Sequence, residues 1–289
     1  MKTALASGNG SALKGALKLV GFLLLVVGSL PLHYATRHTK HFNPTTLPRQ
    51  FHRMLAKLTG LHVRVHGQVA REEGDGKAAT LFVSNHSSYI DVVVLGSLIP
   101  GSFVAKAEVN GWPLIGLMAR IQNTVFIERR AVRARTQSNV LRDRLETGSN
   151  LILFPEGTSS DGQRTLPFKS SLFSIAETPL PDGHFPVIQP VSIVATEIGG
   201  LPMGRAWRPY YAWYGDMTLV KHVWEFFKIG AFTIDVIFHP PVTVKDFGDR
   251  KLLSDHCQRV ITKGVDQCLT GRFEMGLAET PSSNAKTPA

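Results

Sequence analysis

The chain has 289 residues, of which 43% are hydrophobic, and carries 32 lysines and arginines against 22 acidic residues. That length buries the core of one sizeable α/β domain with additions, which sets aside both a disordered chain and a second independent domain. A net charge of +10 and a pI near 9.8 call for an anionic partner: nucleic acid, anionic lipid or an acidic substrate. The two cysteines, Cys257 and Cys268, have no paired metal-ligand spacing and read as helix-packing residues, in a setting compatible with the reducing cytosol.

In chain order, the first dozen residues are small and polar and are expected to be mobile. An uncharged run follows from Leu19 to Thr36, whose strongly apolar part is only about 14 residues, short for a span. Lys2, Lys14 and Lys18 precede it, and Arg37, Lys40, Arg49, Arg53 and Lys57 follow it. If the run spans a membrane, the heavier charge on its C-terminal side keeps the rest cytoplasmic. If it dips into one leaflet, both flanks sit among anionic head groups. Leu47 to Leu58 reads as an amphipathic basic helix, with Phe51, Met54, Leu55 and Leu58 set against Arg49, Arg53 and Lys57. Such a face suits either a membrane surface or the domain core.

From Leu61 the pattern changes to alternation: Leu61, Val63 and Val65 against His62, Arg64 and His66. This predicts a half-buried strand whose histidines face solvent rather than a metal. Arg71 to Lys77 reads as a surface loop. Strands are then expected near 80–84, 102–106, 124–128, 150–154, 187–195 and 231–238. Helices are expected near 88–98, 112–121, 131–146, 168–177, 217–227 and 249–270. The fold class is therefore α/β, a central mostly parallel or mixed sheet flanked by helices. The expected domains are membrane-anchoring helices over 1–60, the α/β domain over 61–270 and a disordered tail over 271–289.

Two stretches carry the chemistry. Phe82-Val83-Ser84-Asn85-His86-Ser87-Ser88-Tyr89-Ile90-Asp91 puts a histidine and an aspartate five positions apart after an apolar run. Residues five apart on a helix lie roughly 140° from one another, so the histidine must precede the helix if both are to face one site. A strand ending near Ser84, a turn with His86, and a helix from about Ser88 would return Asp91 toward the imidazole. The carboxylate would then fix the tautomer and leave the other ring nitrogen free to take a proton. Leu151 to Thr158 is a buried strand followed by a sharp turn bearing Glu156. Its carboxyl end would fall beside His86, where open α/β sheets bind ligands. Taken alone it could also be an ordinary strand exit. A third stretch, Asn123 to Arg130, ends a strand in arginines shaped for phosphate, while Arg133, Arg135, Arg142 and Arg144 read as the solvated side of a helix. The aromatic run Trp207 to Tyr214 fits an interfacial belt or ordinary packing.

Asn85-His86-x4-Asp91, Phe126-Ile127-x-Arg129, Phe154-Pro155-Glu156-Gly157-Thr158 and Val187-Ile188-Gln189-Pro190-Val191 together resemble the bacterial 1-acyl-sn-glycerol-3-phosphate (lysophosphatidic acid) acyltransferases of the glycerolipid acyltransferase superfamily. Val104-Ala105-Lys106, Glu108, Trp112-Pro113 and Gly116 match the segment between the first two motifs, and the likeness covers roughly residues 45 to 245. The resemblance implies an acyltransferase fold with an N-terminal helix pair inserted in one leaflet of the inner membrane, its catalytic domain facing the cytoplasm. It also implies His86 as general base, Asp91 as its orienting partner, Arg129 on the acceptor's phosphate, and Glu156, Gly157 and Thr158 beside the acceptor. Pro190 would shape the acyl-donor or substrate pocket. The reaction would move an acyl group from acyl carrier protein or coenzyme A to a lysolipid hydroxyl, with no metal and no cofactor beyond that thioester co-substrate.

Two positions depart from the family pattern: Asn123 stands where glycine is usual, and Ser159 where Phe-Pro-Glu-Gly-Thr is commonly followed by arginine. Lys169 or Arg164 could then hold the acceptor, or the acceptor could differ. Lysophosphatidic acid is the first expectation and lyso-ornithine lipid the runner-up. A basic nucleic-acid-binding protein is the alternative of another class; charge alone supports it, so no nucleic-acid partner is expected. A membrane scaffold with a dead site would waste His86, Asp91 and Glu156.

Overall fold

The computed structural model describes residues 10–37, 45–70, 79–112, 114–128 and 134–272. The loop expected at Arg71 to Lys77, Arg129 and the tail beyond Arg272 lie outside these residues, as do Met1 to Asn9. The strands are β1 (Leu61–Gly67), β2 (Thr80–Ser84), β3 (Gly101–Lys106), β4 (Val125–Ile127), β5 (Asn150–Leu153), β6 (Val187–Ile198), β7 (Leu201–Pro202) and β8 (Phe232–Phe238). They form one sheet in the order β1-β8-β6-β2-β5-β3-β4, with β7 paired to β6. Neighbours are parallel except β6 with β8 and β6 with β7, so the sheet is mixed. β2 is buried at every position, which suits a central strand covered on both faces.

The helices are α1 (Ala12–Arg37), α2 (Thr46–Thr59), α3 (Tyr89–Leu98), α4 (Ile115–Ile121), α5 (Ala134–Glu146), α6 (Leu219–Lys228) and α7 (Arg250–Thr270). Strand side chains alternate between two apolar layers. Phe82, Ile152, Ile193 and Ile234 pack with Ala56 of α2, Ile90, Val94 and Leu95 of α3, and Phe226 and Phe227 of α6. Leu81, Val83, Leu151 and Ile188 pack with Leu141 and Leu145 of α5 and Leu253, Cys257 and Ile261 of α7. Cys257 is a buried free thiol on α7, pushed up to about 12 by burial, and Cys268 on the same helix is also free.

Three local features differ from the sequence reading. The helix expected from 112 begins at Ile115, because Leu114 has φ +61°, outside helical space. The segment expected as a helix at 168–177 is a 3₁₀ helix, Ser170–Glu177. The apolar run is longer as a helix than as a sequence: α1 starts at Ala12 and passes through Lys14 and Lys18. The Lys18 ammonium donates to the carbonyls of Thr59 (2.7 Å), Ile229 (2.8 Å) and Gly230 (3.1 Å), at the C-terminal ends of α2 and α6. The segment Ala12–Ala35 is long and apolar enough to cross a membrane by length and composition.

α2 buries Pro48, His52, Leu55, Ala56 and Thr59. A Cβ on Gly96 of α3 would stand 2.5 Å from the His52 ring, so glycine is what lets the two helices approach this closely. On β1, His66 does not face solvent alone. It bonds Asp235 of β8 at 2.7 Å, and Arg64 bridges Asp235 and Glu197.

Candidate active site

β2 and β5 are adjacent and parallel, so their carboxyl ends deliver the two chemical stretches to one place. β2 ends at Ser84. The Asn85 side-chain amide then accepts from Ile193 N and donates to Ile193 O, which anchors the turn to β6. Ser88 caps α3, its side chain accepting from Ile90 N, and Asp91 reaches back to Ser88 N in a capping box. The same capping geometry turns the Asp91 carboxylate toward the histidine before it.

Asp91 is fully buried. Its Oδ2 accepts from Ser87 N (2.7 Å), Ser88 N (2.9 Å) and His86 Nδ1 (3.0 Å), while Oδ1 accepts from the Tyr211 hydroxyl (2.8 Å). A carboxylate can only accept, so His86 carries its proton on Nδ1 and keeps Nε2 as a base. The His86 ring, one-fifth exposed, stacks on Phe154 at 4.0 Å between centroids.

Glu156 lies across the same turn. Its Oε1 accepts from His86 N at 3.1 Å, and its Oε2 is buried without a hydrogen-bond partner among the described residues. Burial, helped by the Asp91 charge and opposed by backbone donors from His86 and Leu166, raises its pKa to about 8. Ser160 N donates to His86 O at 2.8 Å, closing the second turn onto the first. Gly157 takes φ +71°, the left-handed conformation that makes this turn sharp.

His86, Asp91 and Glu156 thus meet. Thr158 is exposed on the same turn, and Lys169 is exposed with its backbone N on Pro155 O. Pro190 is not brought to this cluster: it is buried within β6 in register with Val83, on the α7 side shared with Ile188 and Ser192. Arg129 lies outside the described residues. Ser159, at the usual arginine position, donates its hydroxyl to Trp213 O. The sequence reading missed Phe154 as a stacking partner, although it adjoins Glu156, and missed Tyr211, which stands 120 residues from its partner and had only an aromatic run to signal it.

A family model described as Acyltransferase matches residues 62–194. The chain is 37% identical over 260 residues to a protein of Brucella abortus named lyso-ornithine lipid O-acyltransferase, covering 89% of this chain and 95% of that one. It is 31% identical over 195 residues to a 1-acyl-sn-glycerol-3-phosphate acyltransferase of Neisseria gonorrhoeae, covering 67% and 72%. The crystal structure of the 1-acyl-sn-glycerophosphate (LPA) acyltransferase PlsC from Thermotoga maritima shares the fold, with a TM-score of 0.62 at 21% identity over 91% of this chain and 96% of that one. With a histidine–aspartate pair at the end of a central strand, and with similarity to the Brucella protein over nearly its whole length, the chain belongs to the acyltransferase family.

Proposed function

We propose that the chain is a membrane-associated O-acyltransferase that moves a fatty acyl group from a thioester to the free hydroxyl of lyso-ornithine lipid. The thioester is carried by acyl carrier protein or coenzyme A. The observation that carries the chemistry is the 3.0 Å contact of His86 Nδ1 with a buried Asp91. An alcohol is a poor nucleophile at neutral pH, so His86 Nε2 takes its proton as the oxygen attacks the thioester carbonyl. Asp91 holds the ring and stabilises the imidazolium. The tetrahedral intermediate collapses, the carbon–sulfur bond breaks, and the imidazolium returns the proton to the departing thiolate. No acyl-enzyme is needed.

The acceptor follows from two supports. The more similar of the two relatives is the one named for the ornithine acceptor. At Ser159, where the phosphate-acceptor pattern has arginine, a hydroxyl is engaged by the Trp213 carbonyl. The first expectation, lysophosphatidic acid, therefore becomes the second reading. On the acceptor side we place Arg129, Glu156, Gly157, Thr158 and Lys169, with Pro190 behind the turn as part of its support. The exposed apolar side chains Leu17, Val20, Leu24 and Val27 along α1 favour seating on a membrane, which we take to be the inner membrane with the catalytic domain on its cytoplasmic side.

The test is transfer from labelled acyl carrier protein to lyso-ornithine lipid and lysophosphatidic acid side by side. Transfer to the ornithine acceptor is expected, with His86→Ala lowering it by about 10²–10⁴-fold. Transfer to the phosphate acceptor alone would replace the acceptor assignment, and an active His86→Ala protein would remove His86 as base.

A further inference from the structure

Between β7 and α6 the chain runs over the outside of the catalytic turn and is tied to it at several points. Trp213 N donates to Ser87 O at 2.8 Å, the Arg208 guanidinium donates to Gly162 O at 2.9 Å, and Ser159 holds Trp213 O. These ties place Tyr211, 2% exposed and with its ring beside Phe232, with its hydroxyl 2.8 Å from Asp91 Oδ1.

The two Asp91 oxygens are served unequally. Oδ2 has three donors within 3.0 Å, two of them backbone groups of its own turn. Apart from Tyr211, the other donor recorded for Oδ1 is the Ser87 hydroxyl, 3.5 Å from both oxygens. A buried carboxylate oxygen without a good donor is costly, and the carboxylate then turns to share the donors on its other side. Burial and the Asp91 charge hold the Tyr211 phenol well above its ordinary value, so it stays a donor.

We propose that Tyr211 is a positioning residue for proton transfer: by holding Oδ1 it fixes the carboxylate plane so that Oδ2 faces His86 Nδ1, and it draws off part of the charge that the imidazole feels. This rests on the reading of His86 as base and Asp91 as its partner. The segment Arg205 to Met217 is thereby a third component of the site, outside the two motifs.

The experiment compares Tyr211→Phe, Asp91→Asn and the double variant, measuring kcat, KM and the pH dependence of acyl transfer, with a thermal melt on each. Tyr211→Phe keeps the ring and loses only the hydroxyl. Its kcat is expected to fall on the order of tenfold at unchanged KM, the scale of one hydrogen bond to a charged group. The acid limb of its pH profile should move to higher pH, because a carboxylate with undivided charge holds the imidazolium more tightly. In the Asp91→Asn background, Tyr211→Phe should have no further effect on kcat.

An unchanged kcat and acid limb in Tyr211→Phe, with Asp91→Asn impaired, overturns the role of Tyr211 alone. An equal loss in both backgrounds does the same, since it marks a structural effect. A fully active Asp91→Asn overturns the dyad and this proposal with it. If Tyr211→Phe does not fold, 3-fluorotyrosine at 211 gives a stronger donor and must move the acid limb to lower pH; an unmoved limb overturns the proposal.

Discussion

At Glu156, burial outweighs the two backbone donors, so the carboxyl is neutral at pH 7 and its pKa stands at about 8 against an ordinary 4.5. Between those values the folded chain holds a proton that the unfolded chain releases, so this residue's contribution to stability is present below pH 4.5 and is lost as pH rises to 8. His52, His222 and His239 act in the opposite sense: burial lowers each to about 4, which favours the folded state as pH rises from 4 to 6.5. Comparing Glu156→Gln with the parent cancels the histidines. The variant keeps the acceptor for His86 N, and its melting temperature relative to the parent should climb steadily from pH 4.5 to 8; a flat difference would mean an ionised Glu156. Asn123 has a plainer account. Its φ of +55° lies in the left-handed region, where asparagine is among the best-tolerated residues after glycine, so the departure from the family's glycine keeps the backbone it serves.

Among the elements, α1 is tied to the body by Lys18, whose three donors meet three carbonyls at the ends of α2 and α6, and by apolar contacts with the same two helices. A cation at two helix C-termini also meets the negative end of both dipoles, which favours it there. Replacement by methionine keeps the length of the side chain and leaves those carbonyls without their donor, a loss of roughly 2 kcal/mol on the scale of bonds to a charged group. Hydrogen exchange should then speed up in α1 and in the last turns of α2 and α6, with β2 and β5 unchanged. Uniform exchange in parent and variant would show that apolar contacts such as Phe22 on Phe227 hold the helix unaided. The α2–α3 contact is of another kind, a close approach set by Gly96 under His52.

For the molecule as a whole, a net charge of +10 and an apolar face on α1 predict two additive parts to membrane binding. Flotation with anionic vesicles should weaken as salt rises from 0.1 to about 1 M, where the screening length shrinks to roughly 3 Å, while binding to neutral vesicles stays nearly constant. Salt-independent binding to both would leave the charge without a role at the surface. The sequence by itself determined what is local. Strand and helix periods follow from backbone geometry within a dozen residues, and His86 and Asp91 lie five apart on one strand–turn–helix, so their meeting needed no distant contact. It also placed Glu156 just past a strand end, since Pro155 and Gly157 mark a turn after the apolar run, but not the burial of its carboxyl there. Only the tertiary structure decided that β8 runs antiparallel to β6, that Lys18 reaches Ile229 and that Tyr211 completes the Asp91 shell. Those contacts join residues tens to hundreds of positions apart, and it is the packing of both layers on the sheet, not any local pattern, that brings them together.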